Sequence, residues 1–223
     1  MTFYQRLLNE TQAERRDFQS IGLIQHAVDK GVTRELYAKY LEQAYHHVRF
    51  TVPLLELAID NCTTDDTAYI NALAEYVKEE SGHDEWILDD IKALGVDAQA
   101  VRHGQGGFAC RVMIAYAHYA IEHISPYALL GMVHVLEGMS VELAQKAAGA
   151  IAASFAPASS QDGPPNAFSY LTSHGALDIE HVGFFENTVN SIQDPKTETL
   201  IIAAAKDFYI MFGNMFRELE AAL

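Results

Sequence analysis

The sequence is poor in cysteine and in basic residues, and each shortage argues against a class of protein. Only two cysteines, Cys62 and Cys110, occur among 223 residues. They are too few for a disulfide framework and are not spaced as a zinc knuckle, so we expect two small buried apolar side chains. Fifteen Lys and Arg stand against thirty Asp and Glu, a formal net charge of −15. Because phosphate binding needs concentrated positive charge, no nucleic-acid partner is expected.

Long apolar runs are lacking as well. One of the longest, residues 147–153, is far shorter than a membrane span. The first eighteen residues mix arginines with acids and have no apolar core of a secretory signal. We therefore expect a cytoplasmic protein with no membrane partner.

What the sequence does have is helical periodicity in nearly every segment. Apolar residues such as Leu36, Tyr40 and Ala44 recur at intervals of three and four, and no strand-like alternation competes with them. This pattern predicts an all-α bundle of about seven helices in one domain over residues 1–223. A loop rich in Pro, Gly and Ser is predicted at residues 156–167. The helical segments are residues 3–19, 21–30, 33–61 with a kink at Pro53, 63–94, 108–123, 125–155, 168–190 and 196–222.

The stretch HGALDIEH, residues 174–181, presents two imidazoles and a carboxylate on one predicted helix. At about 100° per residue, His174, Asp178 and His181 fall on one face, one turn apart, whereas Glu180 points away. Such a face offers nitrogen, oxygen and nitrogen ligands toward one point. The alternative is an ordinary exposed polar face.

Two other predicted helices offer further ligands. Glu80 and His83 form a Glu-x-x-His pair, the spacing that dimetal carboxylate bundles use, with Glu79 as an alternative acid. Glu137 stands in an otherwise apolar stretch, where a buried carboxylate needs a cation or a hydrogen-bond partner. A structural acid bonded to a tyrosine or histidine is the alternative for Glu137.

Together the candidates comprise three carboxylates and three imidazoles. Thiolate is absent from the set, which disfavours structural zinc, and carboxylate with imidazole suits iron or manganese. The six residues therefore predict a site for two such ions, with Glu137 as a bridge. They are Glu80, His83, Glu137, His174, Asp178 and His181.

These motifs resemble the haem-oxygenase-like dimetal oxidases and oxygenases, which share their fold with thiaminase II and pyrroloquinoline quinone synthase. The likeness rests on EESGHDEW at residues 79–86, on Glu137, on the His-x3-Asp-x2-His pattern, and on AYHHVRFTVPLL at residues 44–55. It implies a haem-oxygenase-like helical bundle with two Fe²⁺ ions that activates dioxygen and oxidises a small organic substrate. Some members place the first acid where Tyr76 stands, and others place it where Glu80 stands. Because related folds often pair, a homodimer is expected.

Several aromatic and histidine side chains on neighbouring helices are candidates to line the substrate pocket or to hydrogen-bond the metal ligands. Each is alternatively an ordinary core residue. They are His46, His47, Tyr116, His118 and Tyr119.

Other activities of the same fold remain open at this point. A thiaminase II-like hydrolase would need a cysteine about two turns before Glu137, where Leu130 and Gly131 stand, and Cys110 is on a different helix. Haem oxygenase would need an early histidine, for which His26 is the candidate. A cofactor-independent oxidase similar to pyrroloquinoline quinone synthase has the same fold without the metal set, and a non-enzymatic binding protein is a further alternative.

Overall fold

The structure, a computed structural model, describes residues 1–155 and 166–222, except for the side chains of residues 174–181. Over these residues it is built of helices and contains no strand, which confirms the all-α prediction. One short 3-10 helix, Pro126–Ala128, directly precedes one of the two longest helices, Leu129–Phe155. The α-helices are α1 (Phe3–Glu10), α2 (Gln12–Gln19), α3 (Gly22–Lys30), α4 (Arg34–Val48), α5 (Thr51–Asp60), α6 (Thr67–Glu80), α7 (His83–Ala93), α8 (Ala98–His103), α9 (Phe108–His123), α10 (Leu129–Phe155), α11 (Ser169–Ser191) and α12 (Pro195–Ala221).

The described residues thus form twelve α-helices where about seven were expected, because local features interrupt the long predicted segments. Thr11 separates α1 from α2, and its hydroxyl donates to the Leu7 carbonyl. Pro53 has no N–H to donate to the carbonyl of Arg49, four residues earlier. The helix is therefore interrupted between Val48 and Thr51. α8 is a short helix that the sequence pattern did not indicate.

The break between α6 and α7 falls within the predicted Glu-x-x-His pair. Gly82 has φ +91°, in the left-handed region that favours glycine, and it turns the chain between Glu80 and His83. α6 therefore ends at Glu80 and α7 begins at His83. The Glu-x-x-His pair spans a helix junction rather than one continuous helix.

Buried apolar side chains form two clusters. The larger draws on many helices, from α1 to α12, and the smaller is centred on α4, α7 and the second half of α10. Val32 and Tyr40 pack against both clusters. A cavity of about 180 Å³ has residues of both clusters in its wall, so the two clusters meet around it.

Two segments are long and apolar enough to cross a membrane by length and composition alone. They are Pro126–Phe155 and Pro195–Ala221, and half of the apolar window of each is buried inside the bundle. Core helices of a helical bundle have the same character, because they are apolar on most sides.

Candidate metal centre

The junction between α6 and α7 brings two of the predicted ligands into contact. His83 Nδ1 lies 3.1 Å from Glu80 Oε2, and both side chains are buried, at 5% and 8% exposure. The His83 ring also stacks on Trp86 at 4.2 Å between centroids. Glu79, the alternative acid, is exposed. The left-handed turn at Gly82 therefore leaves a buried carboxylate and a buried imidazole side by side.

Glu137 on α10 is the third predicted ligand whose side chain is described. It is partly buried in the wall of the cavity, where Glu80 also lies. The Tyr76 hydroxyl donates to Glu137 Oε2 over 3.4 Å. Burial, and after it the charges of Glu137 and Glu80, raise the pKa of Tyr76 far above its ordinary value. Tyr76 therefore stays protonated and remains a donor to this carboxylate.

The other three predicted ligands, His174, Asp178 and His181, have side chains outside the described residues. The helix that carries them, α11, packs against α10, which carries Glu137, and against α7, which begins at His83. Among the described side chains, no three His, Cys, Asp or Glu converge as a metal site.

Asp90 on α7 holds the beginning of α11. Its Oδ1 accepts from the backbone N–H and the hydroxyl of Ser169, at 3.0 and 2.7 Å, and its Oδ2 accepts from the Tyr170 N–H at 2.8 Å. These donors belong to the first turn of α11, whose N–H groups have no partner within the helix. Asp90 is 1% exposed, and its burial raises its pKa despite these hydrogen bonds. Asp90 thus ties the start of α11 to the helix that begins at His83.

Of the five predicted pocket residues, His47 lines the cavity, and its ring packs edge-on against Phe212. The other four do not belong to the described wall. His46 is buried beside Gly104 and Gly106, near α8. The Tyr116 hydroxyl donates a hydrogen bond of 2.6 Å to Asp207 on α12. His118 packs against Phe50, and Tyr119 is 54% exposed. Periodicity separates the faces of a helix but does not identify the neighbour that each face meets, so it could not place these four side chains relative to the cavity.

The residues required by the alternative activities are poorly placed. His26, the candidate haem ligand, is exposed and does not belong to the described cavity wall. Cys110 packs against the Gln43 backbone outside that wall, and burial raises the pKa of its thiol to about 11, which disfavours the thiolate. A Cβ at Gly131 would lie 2.6 Å from the Ala205 backbone nitrogen, so this position faces α12.

Two buried polar residues, Asp90 and His134, were not predicted from the sequence. Asp90 stands on the apolar stripe formed by Ile87, Ile91 and Leu94, and a lone acid on such a stripe was the available signal. His134 is one turn before Glu137 and 5% exposed. Its Nε2 lies 3.3 Å from the Thr11 hydroxyl, which itself donates to a carbonyl, so Nε2–H is the donor. Burial lowers the pKa of His134 to about 4.

Comparison with known protein families gives the deciding observation. The model of a family described as iron-containing redox enzymes matches residues 38–211, which include all six predicted metal ligands. The chain belongs to this family. Among curated proteins, no significant match is found.

Solved structures show the fold of this family member. A domain of unknown function with a heme oxygenase-like fold from Shewanella denitrificans superposes with a TM-score of 0.85 at 16% identity, covering 100% of this chain and 93% of that one. A TenA homologue from Pseudomonas syringae pv. tomato gives 0.80 at 12% identity, with 98% and 93% covered. Heme oxygenase-1 from the cyanobacterium Synechocystis, in complex with heme, gives 0.70 at 14% identity, with 100% and 94% covered. The chain therefore has the heme oxygenase-like fold, and at these identities the likeness concerns the fold alone.

Proposed function

We propose that this family member is a non-haem dimetal oxidase or oxygenase that uses dioxygen to oxidise a small organic substrate. Two ions, of iron in the first place and manganese as the alternative, are held by Glu80, His83, Glu137, His174, Asp178 and His181. The family description supports iron. The observation that carries the proposal is the placement of Glu80 and Glu137 in the wall of one cavity, with His83 in contact with Glu80.

The donor set fits the metal. Carboxylate and imidazole side chains are the ligands of non-haem iron sites, and such sites keep coordination positions open for dioxygen or substrate. Glu80 and His83 are buried, and a buried carboxylate is stabilised by a nearby cation. The bound iron ions would supply the redox chemistry by which dioxygen accepts electrons from the substrate.

The protein's own residues orient the ligands and exclude water. Tyr76 donates a hydrogen bond to Glu137 Oε2 and so helps to orient this carboxylate. The turn at Gly82 sets the positions of Glu80 and His83, and the Asp90 cap fixes the start of the helix that carries the other three ligands. The apolar cavity wall keeps bulk water away from the substrate.

Metal content of variants tests the proposal directly. Protein produced in iron-rich medium is analysed for iron and manganese per chain, and its melting temperature is recorded. We expect two metal ions in the wild type and a clear loss in Glu137→Gln and in Glu80→Gln. Each change keeps the shape of the side chain and removes one negative charge, so the helical fold should survive. Glu79→Gln is the matched control, because it makes the same change at the exposed neighbouring residue.

If Glu137 is instead a structural acid, Glu137→Gln should leave metal content unchanged and lower stability by about 1 to 3 kcal/mol, the cost of an unsatisfied buried partner. Unchanged iron in Glu137→Gln, or no metal in any of the folded proteins, contradicts the dimetal proposal. A cofactor-independent oxidase of the same fold would then be the better hypothesis.

A further inference from the structure

The cavity beside Glu80 and Glu137 is long. On α10 its wall begins at Leu129 and ends at Ile151, with wall residues recurring at steps of three and four along one face of the helix. At 1.5 Å per residue, this face is about 33 Å long. The cavity volume of about 180 Å³ only slightly exceeds the roughly 150 Å³ of a cavity that takes one benzene molecule. A volume of this size beside so long a row of wall residues points to a narrow channel rather than a broad chamber.

Most of the wall of this channel is apolar. Beyond the carboxylates and Tyr76, most of its described residues are aliphatic or aromatic, such as Val28 on α3, Leu54 on α5 and Leu143 on α10. A polar substrate group placed against such a wall would lose its hydrogen bonds to water without replacement. An apolar chain would lose nothing of this kind and would gain from burial.

No lysine or arginine belongs to the described wall. The residues whose side chains the structure does not describe, 156–165, 174–181 and 223, contain neither lysine nor arginine in the sequence. The wall therefore has no Lys or Arg to pair with a phosphate, a sulfate or several carboxylates. Substrates with multiple anionic groups are disfavoured.

We propose that the substrate is an elongated, mainly hydrocarbon molecule with at most one polar group, and that this group lies beside Glu80 and Glu137. This inference rests on the proposed function, because it identifies the cavity with the substrate site. The channel accommodates a chain of methylene groups better than a broad ring system, since its small volume is distributed along α10.

Binding of straight-chain primary alcohols to the metal-free protein tests the proposal without any measurement of activity. The alcohols themselves are the probes, and isothermal titration calorimetry measures their affinity directly. We expect affinity to rise about three- to fourfold with each added methylene between butanol and decanol, the gain expected for burying one CH₂ group. A diol with hydroxyls at both ends should bind at least tenfold more weakly than the alcohol of equal length. Affinity that is independent of chain length, or equal affinity for alcohol and diol, would overturn the proposal.

Two alanines on α10 provide a matched pair of variants. Ala147 belongs to the channel wall, whereas Ala153 is exposed on the same helix. Ala147→Phe should obstruct the channel and weaken decanol binding at least tenfold, and Ala153→Phe should bind as the wild type does. Helix content and melting temperature verify folding, and Ala147→Leu replaces the larger change if Ala147→Phe fails to fold. Wild-type decanol binding in a folded variant at position 147 would also overturn the proposal.

Measuring iron content in the same preparations separates this inference from the function on which it rests. Chain-length-dependent binding in a protein that never takes up iron supports the apolar channel and contradicts the dimetal oxidase. Two iron ions per chain without chain-length dependence support the metal site and contradict the substrate class.

Discussion

Replacement of Asp90 should loosen the start of the helix that carries three of the proposed ligands. The carboxylate accepts three hydrogen bonds from the first turn of α11 and is almost fully buried. In Asp90→Asn, one side-chain oxygen remains for Ser169, but an NH₂ group then faces the Tyr170 N–H. One charge-assisted hydrogen bond is lost, which costs about 1.5 to 3 kcal/mol. In Asp90→Ala, all three donors lose their acceptor, and we expect a loss of about 3 to 5 kcal/mol.

The assay combines global and local measurements. For a chain of this size, 1 kcal/mol corresponds to a shift in melting temperature of about 2 to 4 °C, so Asp90→Asn should melt roughly 3 to 12 °C lower. Amide hydrogen exchange should accelerate at Ser169 and Tyr170 before it changes elsewhere in the bundle. The matched control is Asp89→Asn, which removes the same charge from the exposed neighbouring residue and should melt within about 2 °C of the wild type.

The reasoning would be refuted if Asp90→Asn and Asp89→Asn melted at the same temperature, with unchanged exchange at Ser169 and Tyr170. Asp90 would then be a passive buried acid. If Asp90→Asn shows faster exchange, we also expect it to retain less iron, because α11 carries His174, Asp178 and His181.

Three further predictions concern the helices around the site. Burial lowers the pKa of His134 to about 4, so between pH 6.5 and 4 the unfolded chain binds a proton that the folded protein does not. Acidification over this range should therefore lower the free energy of unfolding by about 3 kcal/mol, as measured by urea unfolding. His134→Gln should not show this loss. An equal loss in the wild type and in His134→Gln would contradict the prediction. Gly131→Ala should lower the free energy of unfolding by about 1 to 3 kcal/mol, because its Cβ would lie 2.7 Å from Ala204 Cβ. The control Gly149→Ala places its Cβ where nothing lies within 4 Å, so it should not destabilise the protein. Equal melting temperatures of the two variants would contradict the close approach at Gly131. Tyr76→Phe removes the hydroxyl that donates to Glu137 and should lower the unfolding free energy by about 0.5 to 1.5 kcal/mol, so wild-type stability would show that this bond contributes little.

The sequence alone determined the fold class and the position of most helices. Apolar residues at intervals of three and four are a local property, and each segment carries its own pattern whatever it packs against. The start at Ser125-Pro126 was predicted for the same reason, and the Ser125 side chain accepts from the Tyr127 N–H there. The interruption near Pro53 also follows from local chemistry, because proline lacks an N–H in any surroundings.

The candidate ligands were also found from local spacing, since residues three or four apart share a helix face. Which acid of the pair Glu79 and Glu80 is buried was decided by the tertiary structure, through the turn at Gly82 and the packing of α6. The tertiary structure also decided the positions of the pocket candidates. His47 on α4 lines the cavity, whereas Tyr119 on α9 is exposed.

Only the tertiary structure decided the contacts between residues far apart in the chain. The Asp90 cap joins α7 to α11 across about 80 residues, and the channel forms where two apolar clusters meet. Helical periodicity gives the inward direction of each helix but not its rotation against, or distance from, its neighbours. These depend on how all the side chains between the helices pack at once, so the cap and the channel became visible only when the helices were assembled.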